Sequence, residues 1–394
     1  MHTIPINTEE NSLEILGGKG RSLARMTRSG FRVPDGFIVT ADAYRDFVNK
    51  CGIQEEIIEL AKPDLKNGYP NFEECSKKIQ LIIESNQTPD STRNKIIEAY
   101  EGLSGKDLRM AVRSSANAED LPELSFAGQQ ETFLNISTSA AIIESVHKCW
   151  ASLWTPQAIS YRHQNGIDQS SVAMAVVVQK MIPSEVSGIL FTANPSSGER
   201  SQIILNSSFG LGEAVVSGQV TPDTFIVDRQ TLNINEKILG PKEQKIVSED
   251  GQGVRIESTN AEERTQSSLS DKQIQELVNT SLQIESIYSG QPQDIEWAFC
   301  NGELHLLQSR PITNLPAQPI EVEWKPTPPA RFVSRRQIVE NMPEPICPLF
   351  EELYLTRGLE APRKKSLMAG GGPMFVTVNG YAYQRFDWPG IIKE

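Results

Sequence analysis

The chain is poor in the residues that most often carry metal, redox or triad chemistry: five cysteines and four histidines in 394 residues. Cys51, Cys75, Cys149, Cys300 and Cys347 lie far apart, are odd in number and form no CxxC pair, so they read as buried thiols. His2, His147, His163 and His305 are scattered, without the Ser/Asp or Cys neighbours of a triad and without zinc-ligand spacing. His147 falls in an apolar helix and His305 between leucines, which predicts structural roles. No apolar run approaches the roughly 18 to 20 residues of a membrane span. The start, MHTIPINTEENSLEIL, lacks the basic head and apolar core of a signal peptide, so a cytoplasmic protein without a membrane partner is expected. Positive charge is also in deficit. A net charge of -12 argues against nucleic acid as the main partner, yet leaves room for one phosphorylated ligand held by a few placed cations.

The length suffices for two or three domains, each with its own core. After Gly17, Gly18 and Gly20 the stretch RSLARMTRSG predicts a helix stopping at Gly30, and Thr40 is expected to cap the helix ADAYRDFVNK. Helices are predicted around 73–85 and 91–102, the second opened by Asp90 or Ser91. Further helices are expected in AAIIESVHKCWASLW and in TPQAISYRHQ, the latter with Thr155 as cap and Pro156 at its first position. VAMAVVVQKM is a continuous valine-rich run, as expected for a buried strand. From there SGILFT, SQIILNSSF and DTFIVDRQT read as strands. SDKQIQELVNTSLQIESIYSG reads as a helix with a capping box in Ser270 and Gln273. PITNLPAQPIEVEWKPTPPA is a proline-rich linker. The mixture predicts an α+β (α/β mixed) chain.

Three stretches carry candidate chemistry. In LGGKGRSLARM, three glycines let backbone approach an anion and Lys19 adds a charge at the same helix end; it is not a Walker A loop, and alone it is as readily a glycine turn before a helix. In VRSSANAEDLPELSFAGQQETF, residues 112–133, Arg113 is expected to end a strand, where a guanidinium can fork phosphate oxygens. Ser114, Ser115, Ser125, Thr132 and the backbone near Gly128 add donors without bulk. A plain loop with capping serines would explain the same residues, but structureless loops beyond about 12 to 15 residues tend to be functional or disordered.

The third stretch is the strand pair DIEWAFC-NG-ELHLLQSR. Alternation puts Asp294 and Glu296 on one face of the first strand, with Ile295, Trp297 and Phe299 on the other, and puts Gln308 and Arg310 together on the second. A carboxylate, an amide oxygen and a guanidinium on one surface suit a divalent cation bound to polyphosphate; a solvated hairpin face is the plainer reading. A tight two-residue Asn301-Gly302 turn would set Glu296 and Gln308 on opposite faces. The functional reading therefore predicts a three-residue, bulged loop with Gly302 left-handed.

Taken together, LGGKGRSLARM, VRSSANAEDLPELSFAGQQETFLN, VVVQKMI, SGILFTANP, GLGEAVVSGQVTPDTF and DIEWA with LLQSRPIT resemble the N-terminal ATP-grasp module of the phosphoenolpyruvate synthase and pyruvate phosphate dikinase superfamily, in order from about residue 10 to 314. The resemblance implies two subdomains, 1–185 and 186–315, clamping ATP and Mg²⁺, then a linker at 316–330 and the start of a partly helical domain at 331–394. It implies that Lys19 and Arg113 contact phosphates, that Gly128 and Thr132 belong to a loop closing over them, and that Gln179 sits near the adenine. Glu296 and Gln308 match metal ligands and Arg310 a cation reaching the terminal phosphate, with Arg113 and Arg310 as the catalytic pair. Asp294 and Glu213 fall in matching motifs as well.

Family members split ATP to AMP and phosphate and pass phosphate to an acceptor through a histidine on a swivelling domain; no histidine here has that Gly- and Thr-rich context, so a fragment is expected. ENMPEPICPLFEELY and MFVTVNGYAYQRFDW resemble the acceptor-binding domain of the rifampicin-phosphotransferase branch, whose order prodigiosin-forming ligases share. The acceptor implied is a small molecule, antibiotic-like in that branch or pyruvate in a phosphoenolpyruvate synthase.

Overall fold

The valine run and the alternating DIEWAFC run each lie inside a sheet rather than at its edge, and the two sheets organise most of the chain. The structure is a computed structural model and describes all residues except 63, 67, 68, 106, 117–130, 252, 314, 316–323, 327–329, 336, 337, 339, 361–373 and 386–394. Contacts divide the chain into one unit over Met1–Ala317 and another over Gln318–Glu394.

The first unit opens with β1 (Thr3–Pro5), α1 (Leu13–Arg28), β2 (Gly36–Val39), α2 (Ala41–Lys50) and α3 (Gln54–Leu60). A small pair, β3 (Asp64–Lys66) and β4 (Tyr69–Asn71), leads to α4 (Glu73–Ser85) and α5 (Asp90–Glu101). Then come β5 (Met110–Ala116), β6 (Thr132–Ile136), α6 (Ser139–Ser152), α7 (Pro156–Gln164) and β7 (Met174–Lys180). The first sheet runs β1-β2-β7-β5-β6, with every pair antiparallel. The valines of β7 alternate between its two faces: Val176 and Val178 meet Phe47, Trp150 and Ile142 of the helices on one side. Val177 faces α1 on the other side.

The rest of the unit is β8 (Val186–Phe191), β9 (Gln202–Phe209), α8 (Glu213–Val216), β10 (Asp223–Asp228), β11 (Ile234–Ile238), β12 (Gln244–Ser248) and β13 (Val254–Ser258). It closes with α9 (Ala261–Thr265), α10 (Asp271–Ile287), β14 (Gln293–Cys300) and β15 (Glu303–Pro311). The second sheet runs β11-β10-β9-β8-β14-β15, while β12 and β13 form a separate hairpin. One apolar cluster joins the sheets: Leu16, Leu23 and Met26 of α1 pack with Val177 of the first and with Leu205, Ile295 and Trp297 of the second.

Local signals were realised unevenly. Thr155 caps α7 through Ala158 N–H with Pro156 in the first turn, and Ser270 with Gln273 forms the expected capping box on α10. Thr40 occupies the cap position of α2, but its hydroxyl donates to the Met1 carbonyl instead, since the N-terminal strand lies alongside. Asp90 lies inside α5, behind Pro89. Helix α1 is two pieces joined at Gly17, whose φ of 67° and ψ of 175° belong to a region open essentially to glycine alone: a short turn from Leu13, and an unbroken helix that begins after Gly17 and takes in Gly18 and Gly20.

The second unit is smaller. β16 (Val333–Ser334), β17 (Phe375–Val378) and β18 (Tyr381–Arg385) form a sheet in the order β16-β18-β17, with Asn379 and Gly380 both at positive φ in the connecting turn. A short helix, α11 (Pro348–Phe350), runs into a π-helical segment, Glu351–Glu360, and Ile338, Leu355 and Ala382 form its small core.

Gly17 lets the chain pass close to β5, where a Cβ would stand 2.0 Å from the Ser115 carbonyl oxygen. Gly17→Ala should therefore destabilise the chain by about 3 kcal/mol or more through backbone strain and clash. Urea unfolding measures this; a loss below about 0.5 kcal/mol, the size of an ordinary surface substitution, would contradict the account.

Candidate functional site

A cavity of about 550 Å³ opens between the two sheets, and its walls include Lys19, Arg113, Thr132, Gln179, Glu296, Gln308 and Arg310. Ser114 and Ser115, also expected to offer donors to the ligand, are not among the lining residues. Gly128, together with Ser125, lies outside the described residues. Asp294 is not among the lining residues, whereas Glu213 is.

Lys19 reaches the cavity because the break at Gly17 lets the chain approach β5. The Gly20 N–H donates to Ser115 Oγ, Ser115 Oγ donates to the Leu16 carbonyl, and Nζ of the buried Lys19 donates to the Ser114 carbonyl at 2.8 Å. Arg113 does not end its strand. β5 continues to Ala116, and Arg113 sits in its interior opposite Val177 on one side and Thr132 on the other. Apolar alternation was visible only as far as Val112; Ser114 and Ser115 look like loop residues but are buried strand residues. The Arg113 guanidinium lies 3.3 Å from Glu296 across the cavity, and its Nε is buried without a partner among the described residues.

The turn between β14 and β15 corrects the expectation of a three-residue loop. Cys300 pairs with Glu303, leaving Asn301 and Gly302 as a two-residue turn with both residues at positive φ. The extra residue sits further along: Trp297 pairs with Leu306 but Glu296 pairs with Gln308, so Leu307 is a bulge. That single insertion restores Glu296 opposite Gln308 and Asp294 opposite Arg310. Arg310 binds Asp294 Oδ2 through Nε and Nη2, both at 2.8 Å.

Burial raises the carboxyl pKa of Asp294 above its usual value, Arg310 works against this, and the Glu296 charge adds to it. Glu213, in the first turn of α8, is raised in the same way by burial, lowered by Arg113 and raised by Glu296. The site therefore holds acidic groups close enough to disfavour one another's charge, a condition that a cation relieves.

Sequence reasoning missed the apolar part of the lining: Leu134, Met181, Ile182, Leu211, Val216 and Leu307. Leu134 follows Thr132 and Met181 follows Gln179 at strand spacing, so those two were within reach of the alternation argument. The Gln179 amide nitrogen donates to the Pro34 carbonyl, which fixes this side chain against the β2 approach. The cavity thus carries cations and carboxylates together with an apolar surface, the combination that suits a ligand with a charged tail and a flat uncharged ring. Among the described residues His147 bonds Thr88 and stacks on Trp150, a packing role, with burial lowering its pKa. No described helix is long and apolar enough to cross a membrane.

The family described as pyruvate phosphate dikinase, AMP/ATP-binding domain, matches residues 13–326. The chain is 44% identical over 307 residues to a probable phosphoenolpyruvate synthase of Methanocaldococcus jannaschii, covering 77% of this chain and 26% of that protein. It is 44% identical over 320 residues to one of Archaeoglobus fulgidus, covering 80% and 42%. A rifampicin phosphotransferase of Streptomyces sviceus is 41% identical over 312 residues, covering 78% and 35%. The chain thus spans 26% to 42% of the length of these relatives. With cations, carboxylates and an apolar surface on one cavity and the match running through all of its walls, the chain belongs to the pyruvate phosphate dikinase AMP/ATP-binding domain family.

Proposed function

We propose that this cavity binds ATP with Mg²⁺ and that the chain is the nucleotide-using part of a dikinase-type phosphotransferase. The observation that carries the reading is the meeting of Lys19, Arg113 and Arg310, from three separate elements, with the in-register pair Glu296 and Gln308 on the walls of one cavity. In this reading the three cations take phosphate oxygens, with Arg113 and Arg310 neutralising the charge of the transferred phosphoryl group. Thr132, at the start of β6, lies beside the phosphates, and Gln179 stands beside the base.

Glu296 and Gln308 fit Mg²⁺ because both offer hard oxygen donors from adjacent strand positions. The unpartnered Nε of Arg113 fits an anionic oxygen. When bound, the metal would supply charge neutralisation between the phosphates. The Arg113–Glu296 and Arg310–Asp294 pairs would open for each guanidinium to take a phosphate oxygen, with Mg²⁺ held by Glu296 and Gln308 offsetting part of the added negative charge.

For the whole protein we infer cleavage of ATP to AMP and phosphate, with transfer through a phosphohistidine on a swivelling domain to a small-molecule acceptor. Residues 331–394, with ENMPEPICPLFEELY, favour an antibiotic-like acceptor. The 44% identity to two proteins named probable phosphoenolpyruvate synthase favours pyruvate. The family match stops at residue 326, so these identities bear mostly on the shared nucleotide part. Assaying the full-length protein for phosphorylation of rifampicin and of pyruvate separates the two readings.

Calorimetric titration of the chain with ATP and Mg²⁺ tests the binding reading. Arg113→Ala and Lys19→Met should each weaken ATP by on the order of 10- to 100-fold, as expected for a lost charged hydrogen bond. No heat at millimolar nucleotide in the parent chain, or unchanged affinity in both variants, would sink it.

A second measurement concerns Glu213. Its raised pKa means that the fold favours the neutral carboxyl, so its contribution to stability is present at low pH and lost as pH rises through the folded value. Without metal or nucleotide, Glu213→Gln should melt higher than the parent at pH 7, with the gap closing as pH falls towards 4. Equal melting temperatures throughout would mean that the charge is not held at a cost there.

A further inference from the structure

Asn135, in β6, is fully buried and held at φ 61°, a conformation that costs most non-glycine residues energy. Its backbone N–H donates to the Met181 thioether sulfur, and its side-chain nitrogen donates to two carbonyls, Glu249 and Gly253, each at 2.7 Å. Both acceptors are carbonyl oxygens, so the amide orientation is fixed: only the NH₂ can face them. These carbonyls bracket the turn of the β12–β13 hairpin, where Glu249 N–H also bonds the Gly253 carbonyl. Arg109, just ahead of β5, donates to the Gly251 carbonyl of the same turn.

Ile246, in the middle of β12, ties the hairpin to the chain just past β9 of the second sheet. Gly210 bridges to Ile246, and the Leu211 N–H donates to the Ile246 carbonyl at 2.9 Å. Ile246 packs with Leu211, Ala214 and Val220, and Met181 and Val254 pack against that cluster. The hairpin therefore spans from one sheet to the other beside Leu134, Met181 and Leu211, part of the apolar surface of the cavity. Along β5 this apolar end and the charged end are separated: Ala111 and Arg113 both line the cavity, two residues or about 6 to 7 Å apart. Met181 N–H bonds Arg109 at the start of that strand, whereas Lys19 and Glu296 meet it at Ser114 and Arg113.

We propose that the β12–β13 hairpin is a strap across the apolar end of the cavity and that Asn135 is the positioning residue that latches it, fixing Met181 through its backbone and the hairpin turn through its side chain. Asn135 then governs how tightly the base of a nucleotide is held and leaves the phosphates to Lys19, Arg113 and Arg310. The second half of this inference rests on nucleotide binding in the cavity; the latch itself does not.

The test uses the whole 394-residue chain. Asn135→Gly keeps the positive φ and the N–H to Met181 and removes only the side-chain bonds. Asn135→Asp removes the donors and sets a carboxylate against two carbonyls. Hydrogen exchange in residues 244–258 is compared with that in β7, and each variant is titrated with magnesium ATP and with magnesium tripolyphosphate, which has no base. The latch predicts exchange in the hairpin faster by about tenfold or more, with β7 unchanged, as expected when buried hydrogen bonds to a single turn are lost. It predicts ATP affinity down by on the order of tenfold, while tripolyphosphate stays within about twofold.

Unchanged hairpin exchange in Asn135→Gly overturns the latch. Parallel losses of ATP and tripolyphosphate overturn the assignment to the base end. If the parent chain binds neither ligand, the nucleotide reading fails and the hairpin exchange alone judges the latch. If Asn135→Asp does not fold, Asn135→Gly decides.

Discussion

Strand alternation is the constraint on which the cavity depends. Side chains on β14 and β15 must divide between a core that demands Ile295, Trp297, Phe299, Leu304 and Leu306 and a cavity wall that collects Glu296, Gln308 and Arg310. A tight Asn-Gly turn satisfies the core half, pairing Phe299 with Leu304 and Trp297 with Leu306. Continued without interruption, that register would turn Gln308 and Arg310 away from Glu296 and Asp294. One extra residue, Leu307, reverses the alternation for the last part of β15. Beyond it Ser309 lies on the core side, where its hydroxyl donates to Gln293 and its carbonyl accepts from Ser22 of α1. Both registers are thus held by their own partners, which is why a bulge can persist between them.

Two sets of ion pairs differ in kind. Lys242 and Asp223 are completely buried and bonded on both sides: Lys242 bonds Asp223 and the Gly240 carbonyl, and Asp223 accepts from Gly240 N–H and from both donors of Ser268. Such a network ties the chain before β12 to β10 and to the approach to α10, and breaking it would strand a buried charge. The cavity pairs differ. Arg113 keeps a buried Nε without a partner among the described residues, and two of the acidic groups nearby are held towards the neutral form. Spare donors and mutually repelling carboxylates separate a site for a charged ligand from a structural ion pair, a distinction that counting salt bridges would miss.

Much of this could be read from the sequence where one local rule acts alone. The valine run, the capping box of Ser270 and Gln273, the division of Asp294 and Glu296 from Ile295, Trp297 and Phe299, and the candidate residues of the cavity all follow from alternation, cap chemistry or motif order. The failures arose where two demands met. Thr40 has the right identity for a cap, but the neighbouring β1 strand supplies a competing acceptor in the Met1 carbonyl. Ser114 and Ser115 have the composition of a loop, yet they are strand residues paired with Val176 and Ala175 of β7, and α1 packs on them with Lys19 donating to the Ser114 carbonyl and Gly20 N–H to the Ser115 hydroxyl. The position of the bulge was hidden because glycine and asparagine mark turns plainly while Leu307 carries no local mark at all. Asn135 was passed over for the same reason: its side-chain partners lie more than a hundred residues away.

The packing also limits how such a cavity can respond to what it binds. Helix α1 contributes to a core that runs from the first sheet into the second, so large independent rotation of the two sheets would expose Leu16, Leu23, Trp297 and their neighbours. Adjustment must come from parts outside that shared core. The Leu211, Ala214, Val220 and Ile246 cluster is small, separate and next to the cavity, and the hairpin resting on it is held to the first sheet by polar contacts rather than by a second apolar core. Few buried apolar contacts and a handful of hydrogen bonds are the conditions under which a segment opens at lower free energy than the whole fold. The rigid part of the molecule therefore fixes the charged end of the cavity, and the part with freedom to move borders its apolar end.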